Sequence, residues 1–124
     1  MRIARVWADD DGVTHFDEVE IPLADAGEIG RLSETFPAVG VVFRENDPDY
    51  DFDWHPAPRR QLVVLLDGSI EIEVGDGEVR RFAGGDVVLL EDTGGRGHRT
   101  RNVEPTARRS LFVALGPEAI GRRG

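Results

Sequence analysis

The stretch Trp54-His55-Pro56-Ala57-Pro58-Arg59-Arg60-Gln61-Leu62-Val63-Val64-Leu65-Leu66-Asp67-Gly68 decides the fold of this chain. From Gln61 to Leu66 it is an apolar run closed by an Asp-Gly turn. That is how a strand buried on both faces reads as it enters a hairpin. Upstream, His55 and Ala57 stand two apart, so on one strand they would share a face. Gln61 follows four beyond Ala57, and Gly68 seven beyond Gln61.

Working downstream, Ile70-Glu71-Ile72-Glu73-Val74 alternates strictly, and Gly75-Asp76-Gly77 turns the chain into Glu78 to Phe82. Ala83-Gly84-Gly85-Asp86 turns it again into Val87 to Leu90. A Gly-rich loop, 93–97, precedes a strand from His98 to Asn102. Ser110 to Leu115 is the last strand, Gly116-Pro117 stops it, and the tail to Gly124 is expected to be loose. Upstream, residues 2–8 alternate and read as an edge strand, and Thr14 to Ile21 alternates as well. His15 reads as a surface or half-buried strand residue there. One helical turn is expected within 24–32, and a strand from Thr35 to Arg44. The acidic stretch 45–53 lacks the spacing of an EF-hand and reads as a solvated loop, with Tyr50 and Phe52 turned to the protein. Short strands separated by turn residues, with almost no helix, predict an all-β sandwich or barrel in one domain, 1–124.

The chain carries a net charge of −9, which excludes a non-specific nucleic-acid binder. Residues 1–57 hold 14 acidic and 4 basic side chains, so the negative charge is concentrated there; every basic residue in the chain is Arg. No apolar run reaches the ~20 residues needed to span a bilayer. There is no cysteine, so thiolate chemistry, disulfides and Cys-ligated metals are excluded. A reducing cytoplasm is the simplest expected location.

The spacing of His55, Gln61 and Gly68 resembles the first motif of the cupins, with Ala57 where a second His is usual. His98 and Asn102 resemble the ending of the second cupin motif, after Glu91-Asp92-Thr93 and two extra residues in the Gly94-Gly95-Arg96-Gly97 loop. The resemblance covers about 39–115 and implies a cupin jelly roll. It further implies a homodimer in which the N-terminal strands, 2–21, pack on or swap at the dimer edge. Carried over, the cupin metal set becomes His55, Gln61 and His98, with Ala57 unable to ligate.

Two imidazoles and a neutral amide lack the anionic donor that helps hold a catalytic metal. Glu91, Asp92 and Glu45 are candidates to supply one, and spacing selects none of them. The expectation is a small-molecule enzyme (lyase, isomerase, decarboxylase or oxygenase) acting on a small polar or carboxylated metabolite. His55 and His98 would be its catalytic residues, with one divalent metal (Fe, Mn, Ni or Zn) and no organic cofactor. The alternative is a metal-free cupin in which the histidines move protons or bind a ligand without catalysis. A third reading makes them a structural pair. Phe43, Trp54, Arg60, Val63, Phe82 and Arg96 are expected around the substrate. Arg60 and Arg96 are the candidate anion partners, whereas alternation turns Arg99 and Arg101 away from the His98 face.

Overall fold

Alternation of apolar and polar residues sets the strands, and the turns fall at Gly, Asp and Pro. The computed structural model describes residues 1–117 and 119–120. Twelve strands are present: β1 (Arg2–Ala8), β2 (Thr14–Glu20), β3 (Ala24–Asp25), β4 (Arg31–Leu32), β5 (Ala38–Asn46), β6 (Asp51–His55), β7 (Gln61–Leu65), β8 (Ser69–Glu73), β9 (Val79–Ala83), β10 (Val87–Leu90), β11 (His98–Asn102) and β12 (Arg108–Leu115). The helical turn expected within 24–32 is a single 3₁₀ turn, Gly27–Ile29, between the two-residue strands β3 and β4.

Six strands form one sheet in the order β2-β1-β10-β7-β12-β5, and four form the other in the order β6-β11-β8-β9. The two sheets pack face to face as a jelly-roll sandwich. Val63, Leu65 and Leu90 from the large sheet meet Ile70, Ile72 and Phe82 from the small one in a single buried cluster. The large sheet is covered on its other face as well. There Ile3, Val19 and Leu89 are buried with Leu115, Ala119 and Ile120. This explains the continuous apolar run of β7: Val63 points between the sheets, while Leu62 packs on the outer cluster.

Three expectations are corrected. Residues 2–8 are not an edge strand, because β1 pairs with β2 on one side and with β10, in parallel, on the other. The edges of the large sheet are β2 and β5. Second, His55 and Ala57 do not share a strand. Pro56 and Pro58 have no N–H to give a ladder, so β6 ends at His55 and the chain crosses from the small sheet to the large one before β7 begins. Third, the tail is not loose as far as Ile120. Ala119 and Ile120 are buried, and Arg60 reaches both of their carbonyl oxygens. The rest of that expectation lies outside the described residues.

Candidate functional site

A partly open cavity of about 720 Å³ lies between the sheets. The register across the small sheet brings the two expected histidines together, since His98 on β11 stands directly opposite His55 on β6. Their ring centres are 4.7 Å apart, and both line the cavity with Gln61. A bulge between His98 and Thr100 shifts the register just beyond the pair. Such bulges re-aim the side chains next to them.

Gly97 permits this closeness. Its φ is +83°, and a Cβ at that position would lie 1.9 Å from the carbonyl oxygen of His55. Only a residue without a side chain lets the loop press against the end of β6 and deliver His98 beside His55. The Gly97 carbonyl also accepts a hydrogen bond of 2.7 Å from the buried Thr14 hydroxyl.

Each imidazole is held at Nδ1. His55 Nδ1 is 2.7 Å from the carbonyl oxygen of Asp53. A carbonyl only accepts, so Nδ1 carries the proton and Nε2 keeps its lone pair when the ring is neutral. His98 Nδ1 is 2.5 Å from Oδ2 of Asp92. Both partners are buried, and Asp92 has no exposure at all. Its second oxygen, Oδ1, has no hydrogen-bond partner. The pair is therefore a carboxylate locked to an imidazole away from water. The Asp92 carboxylate compensates the charge that His98 carries whenever Nε2 holds a proton too.

Burial pushes the His55 pKa below the ordinary imidazole value, and the nearby His98 and Arg44 add to this; the Asp53 carbonyl and Asp92 oppose it. His55 is thus neutral at pH 7, as a proton acceptor must be. His15 behaves in the opposite way. Its Nε2 is 2.8 Å from Asp9 and its Nδ1 3.0 Å from Asp76. The hydrogen bond to Asp9, helped by Asp76, raises its pKa.

The sign for stability follows from which state binds the proton. The His15 contribution is complete below about 6.5 and is lost as pH rises through its raised value. For His55 the unfolded chain takes the proton first, so the folded state loses stability as pH falls below about 6.5. In an NMR titration of the imidazole C2–H signals, the His15 signal is expected to titrate above that value and the His55 signal below it. The reverse order would contradict both environments.

The other expected pocket residues divide. Val63 lines the cavity. Phe43 is 81% exposed on the outside of β5, because the neighbouring Val42 and Arg44 take the inward positions of that strand. Phe82 packs in the core against Phe16, with ring centres 6.1 Å apart. Trp54 lies on the outer side under the Arg96 guanidinium, at 4.1 Å. Arg60 is bound to Glu91, at 2.5 Å, and to the carbonyls of Ala119 and Ile120. None of these five lines the cavity. Arg99 and Arg101 face Asp51 and Glu71.

Of the three candidate carboxylates, Glu91 joins Arg5 and Arg60. Glu45 is exposed. Asp92 alone reaches a histidine of the cavity. Residues not anticipated as site members are Arg44, Asn46 and Tyr50, which line the cavity, and Arg108 behind them. For Arg44, strand alternation with Val42 was the available signal.

The three residues of the expected metal set, His55, Gln61 and His98, all line the cavity. The described residues contain no group of three or more His, Cys, Asp or Glu side chains that could hold a metal ion. Asp92 lies behind His98 on Nδ1, and Gln61 offers a neutral amide. The residue in the usual place of a second His, Ala57, is a buried methyl group.

No known family's sequence profile matches the chain, and no curated protein matches it. Among solved structures, it is similar to the conserved SPY1581 protein of unknown function from Streptococcus pyogenes. That match has 24% identity over 72% of each chain and a TM-score of 0.47. It is similar to the cupin domain of Cnp3 from Schizosaccharomyces pombe at 16% identity, over 83% of this chain and 73% of that one, with a TM-score of 0.47. The EutQ protein of Clostridium difficile matches at 15% identity, over 96% and 88%, with a TM-score of 0.42. With its two facing sheets and the paired histidines between them, the chain is a small jelly-roll β-sandwich.

Proposed function

We propose that the cavity is the active site of a small-molecule enzyme that moves a proton between His55 and His98 and its substrate. The observation that carries this reading is the buried Asp92–His98 pair set 4.7 Å from a neutral His55. An isomerase or lyase step on a C–H bond beside a carbonyl suits the arrangement. His55 Nε2 takes the proton, the electron pair of the C–H bond moves toward the carbonyl, and His98, its charge balanced by Asp92, donates a proton to the forming oxyanion. Paired acid and base of this kind contribute about 10² to 10⁴ in rate.

The test is hydrogen–deuterium exchange by NMR over a set of small keto and hydroxy acids in D₂O. The parent is expected to exchange the acidic position of at least one of them. Both His55→Gln and His98→Gln should lower that rate by about 10²-fold or more while remaining folded. Ligand-dependent stabilisation with no exchange would instead mark a binding module without catalysis.

We also propose a homodimer, formed at an edge of the large sheet, either β2, within the N-terminal strands 2–21, or β5. Among the described residues β5 pairs only with β12, and its Val39 and Phe43 are 74% and 81% exposed. A two-fold axis can set such an edge against itself, which removes an aggregation-prone free edge. Light scattering is expected to give a dimer for the parent, with Phe43→Arg monomeric where β5 forms the contact and still dimeric where β2 does. A monomeric parent would overturn this. Among the described residues no helix is long and apolar enough to cross a membrane, and a cytoplasmic location, supported by the lack of cysteine, belongs to the same proposal.

A further inference from the structure

The sequence has 24 acidic side chains against 15 basic ones, yet two guanidiniums between the sheets are in no ion pair among the described residues. Arg44 lines the cavity, and its Nε donates to the Ser110 hydroxyl at 3.0 Å. Its Cζ lies 4.3 Å from the Phe112 ring centre and 5.6 Å from that of Tyr50. Arg108 is 1% exposed and approaches the same Tyr50 ring at 5.3 Å. Its Nε donates to Asn102, while Nη1 and Nη2 are buried without a partner.

Neither arginine forms an ion pair among the described residues, whereas Arg5, Arg60, Arg101 and Arg109 each meet a carboxylate. Burial lowers the pKa of both; Tyr50 opposes this at Arg44, while at Arg108 the charge of Arg44 adds to it and Tyr50 and Asp67 oppose it. A desolvated cation is unfavourable unless an anion compensates it. Asp67 acts on Arg108 without pairing with it, and no carboxylate acts on Arg44; a ligand can supply one.

We infer that Arg44, with Arg108 behind it across the Tyr50 ring, anchors the carboxylate of a small organic acid. The apolar body of that acid lies against Val63, Ile70, Ile72 and Phe112, all of which line the cavity. This rests on the reading of the cavity as a substrate pocket and adds the class of ligand. The register also sets the length. Arg44 is level with Ser110 and Leu65, while Gln61 is level with Ala114 and Gly40, four residues further along the sheet. Those rows are roughly 13 Å apart at ~3.3 Å per residue, and the long arginine side chain shortens the gap. An acid with a short apolar body reaching from Arg44 toward Gln61 matches that distance. A guanidinium grips such a carboxylate through parallel hydrogen bonds.

The experiment uses the whole chain and three probes at constant ionic strength: 3-phenylpropionate, 3-phenylpropionamide and inorganic phosphate. Binding is followed by calorimetry and melting temperature in the parent, in Arg44→Met, and in His55→Gln and His98→Gln. The acid is expected to bind and raise the melting temperature, with the amide at least tenfold weaker. Arg44→Met should weaken the acid by about tenfold to a hundredfold, as hydrogen bonds to charged groups do. Without ligand it should melt above the parent, because the uncompensated cation is gone. Both His variants should keep acid binding.

Equal binding of acid and amide, no binding of the acid, or phosphate binding that matches it would overturn the inference. So would unchanged acid affinity in Arg44→Met, or a ligand-free variant that melts below the parent. Retained acid binding with no proton exchange in the parent would defeat only the enzymatic reading, leaving the anion site intact.

Discussion

Replacing Gly97 with alanine is expected to lower folding stability by about 3 to 5 kcal/mol, combining left-handed backbone strain with overlap in a packed interior. The reason is local and rigid. The added Cβ would meet the His55 carbonyl oxygen at 1.9 Å, its carbon at 2.1 Å and the Pro56 nitrogen at 2.4 Å, all of them backbone atoms. No flexible side chain can move aside to relieve the contact. Gly77 provides the control: its φ is +96°, and nothing lies within 4 Å of its virtual Cβ. Gly77→Ala should therefore cost only the left-handed strain, about 1 to 2 kcal/mol. Urea denaturation of both variants separates the two contributions. Equal losses would mean that the close approach of the loop to β6 contributes nothing. If Gly97→Ala folds, the loop must have moved off β6. The His55 and His98 signals should then lose their mutual ring-current shifts.

The second large effect concerns the carboxylate behind His98. Truncating His98 to alanine leaves Asp92 fully buried, with neither side-chain oxygen partnered, since Oδ1 already has none. Removing one member of such a pair costs about 3 to 5 kcal/mol, mostly from the group left stranded. Removing both should cost much less than the sum of the single losses. A double-mutant cycle of His98→Ala and Asp92→Ala, followed in urea at pH 7, should give a coupling energy of about 2 to 3 kcal/mol. Additive losses would show that the 2.5 Å contact is not an energetic unit. The two experiments separate roles: Gly97 positions His98 through the backbone, and Asp92 holds its ring.

Much of the fold could be read along the chain because apolar residues repeat every second position and turns carry Gly and Asp. The strict alternation of Ile70, Ile72 and Val74, all buried, is the simplest case. The run in β7 was equally plain, although only the structure shows that its outer face is covered by Ala119 and Ile120. His55 and His98 were found because imidazoles are rare in this sequence and their spacing was informative. What the sequence did not reveal is parity and register. Phe43 and Arg44 differ by one position, and a one-residue change of phase reverses which of them faces the cavity. Glu91 and Asp92 raised the same ambiguity one strand away: one turns to Arg5 and Arg60, the other to His98. Arg108 was hidden for another reason. A buried arginine outside any ion pair has no sequence signature, since its surroundings depend on partners brought in by distant strands.

The parallel pairing of β1 with β10 has a consequence for how the molecule is made. Val6 lies beside Leu90, and the Val6 carbonyl accepts the amide hydrogen of Glu91, the residue before Asp92. During synthesis β1 and β2 emerge before the other strands described, yet β10, the strand that receives them in the large sheet, follows some eighty residues later. Until then they can pair only with each other, as an exposed hairpin of the marginal kind. Closing so long a loop is slow relative to forming local hairpins such as β8–β9. The pairing of β1 beside the corner that carries Asp92 is therefore expected to form late.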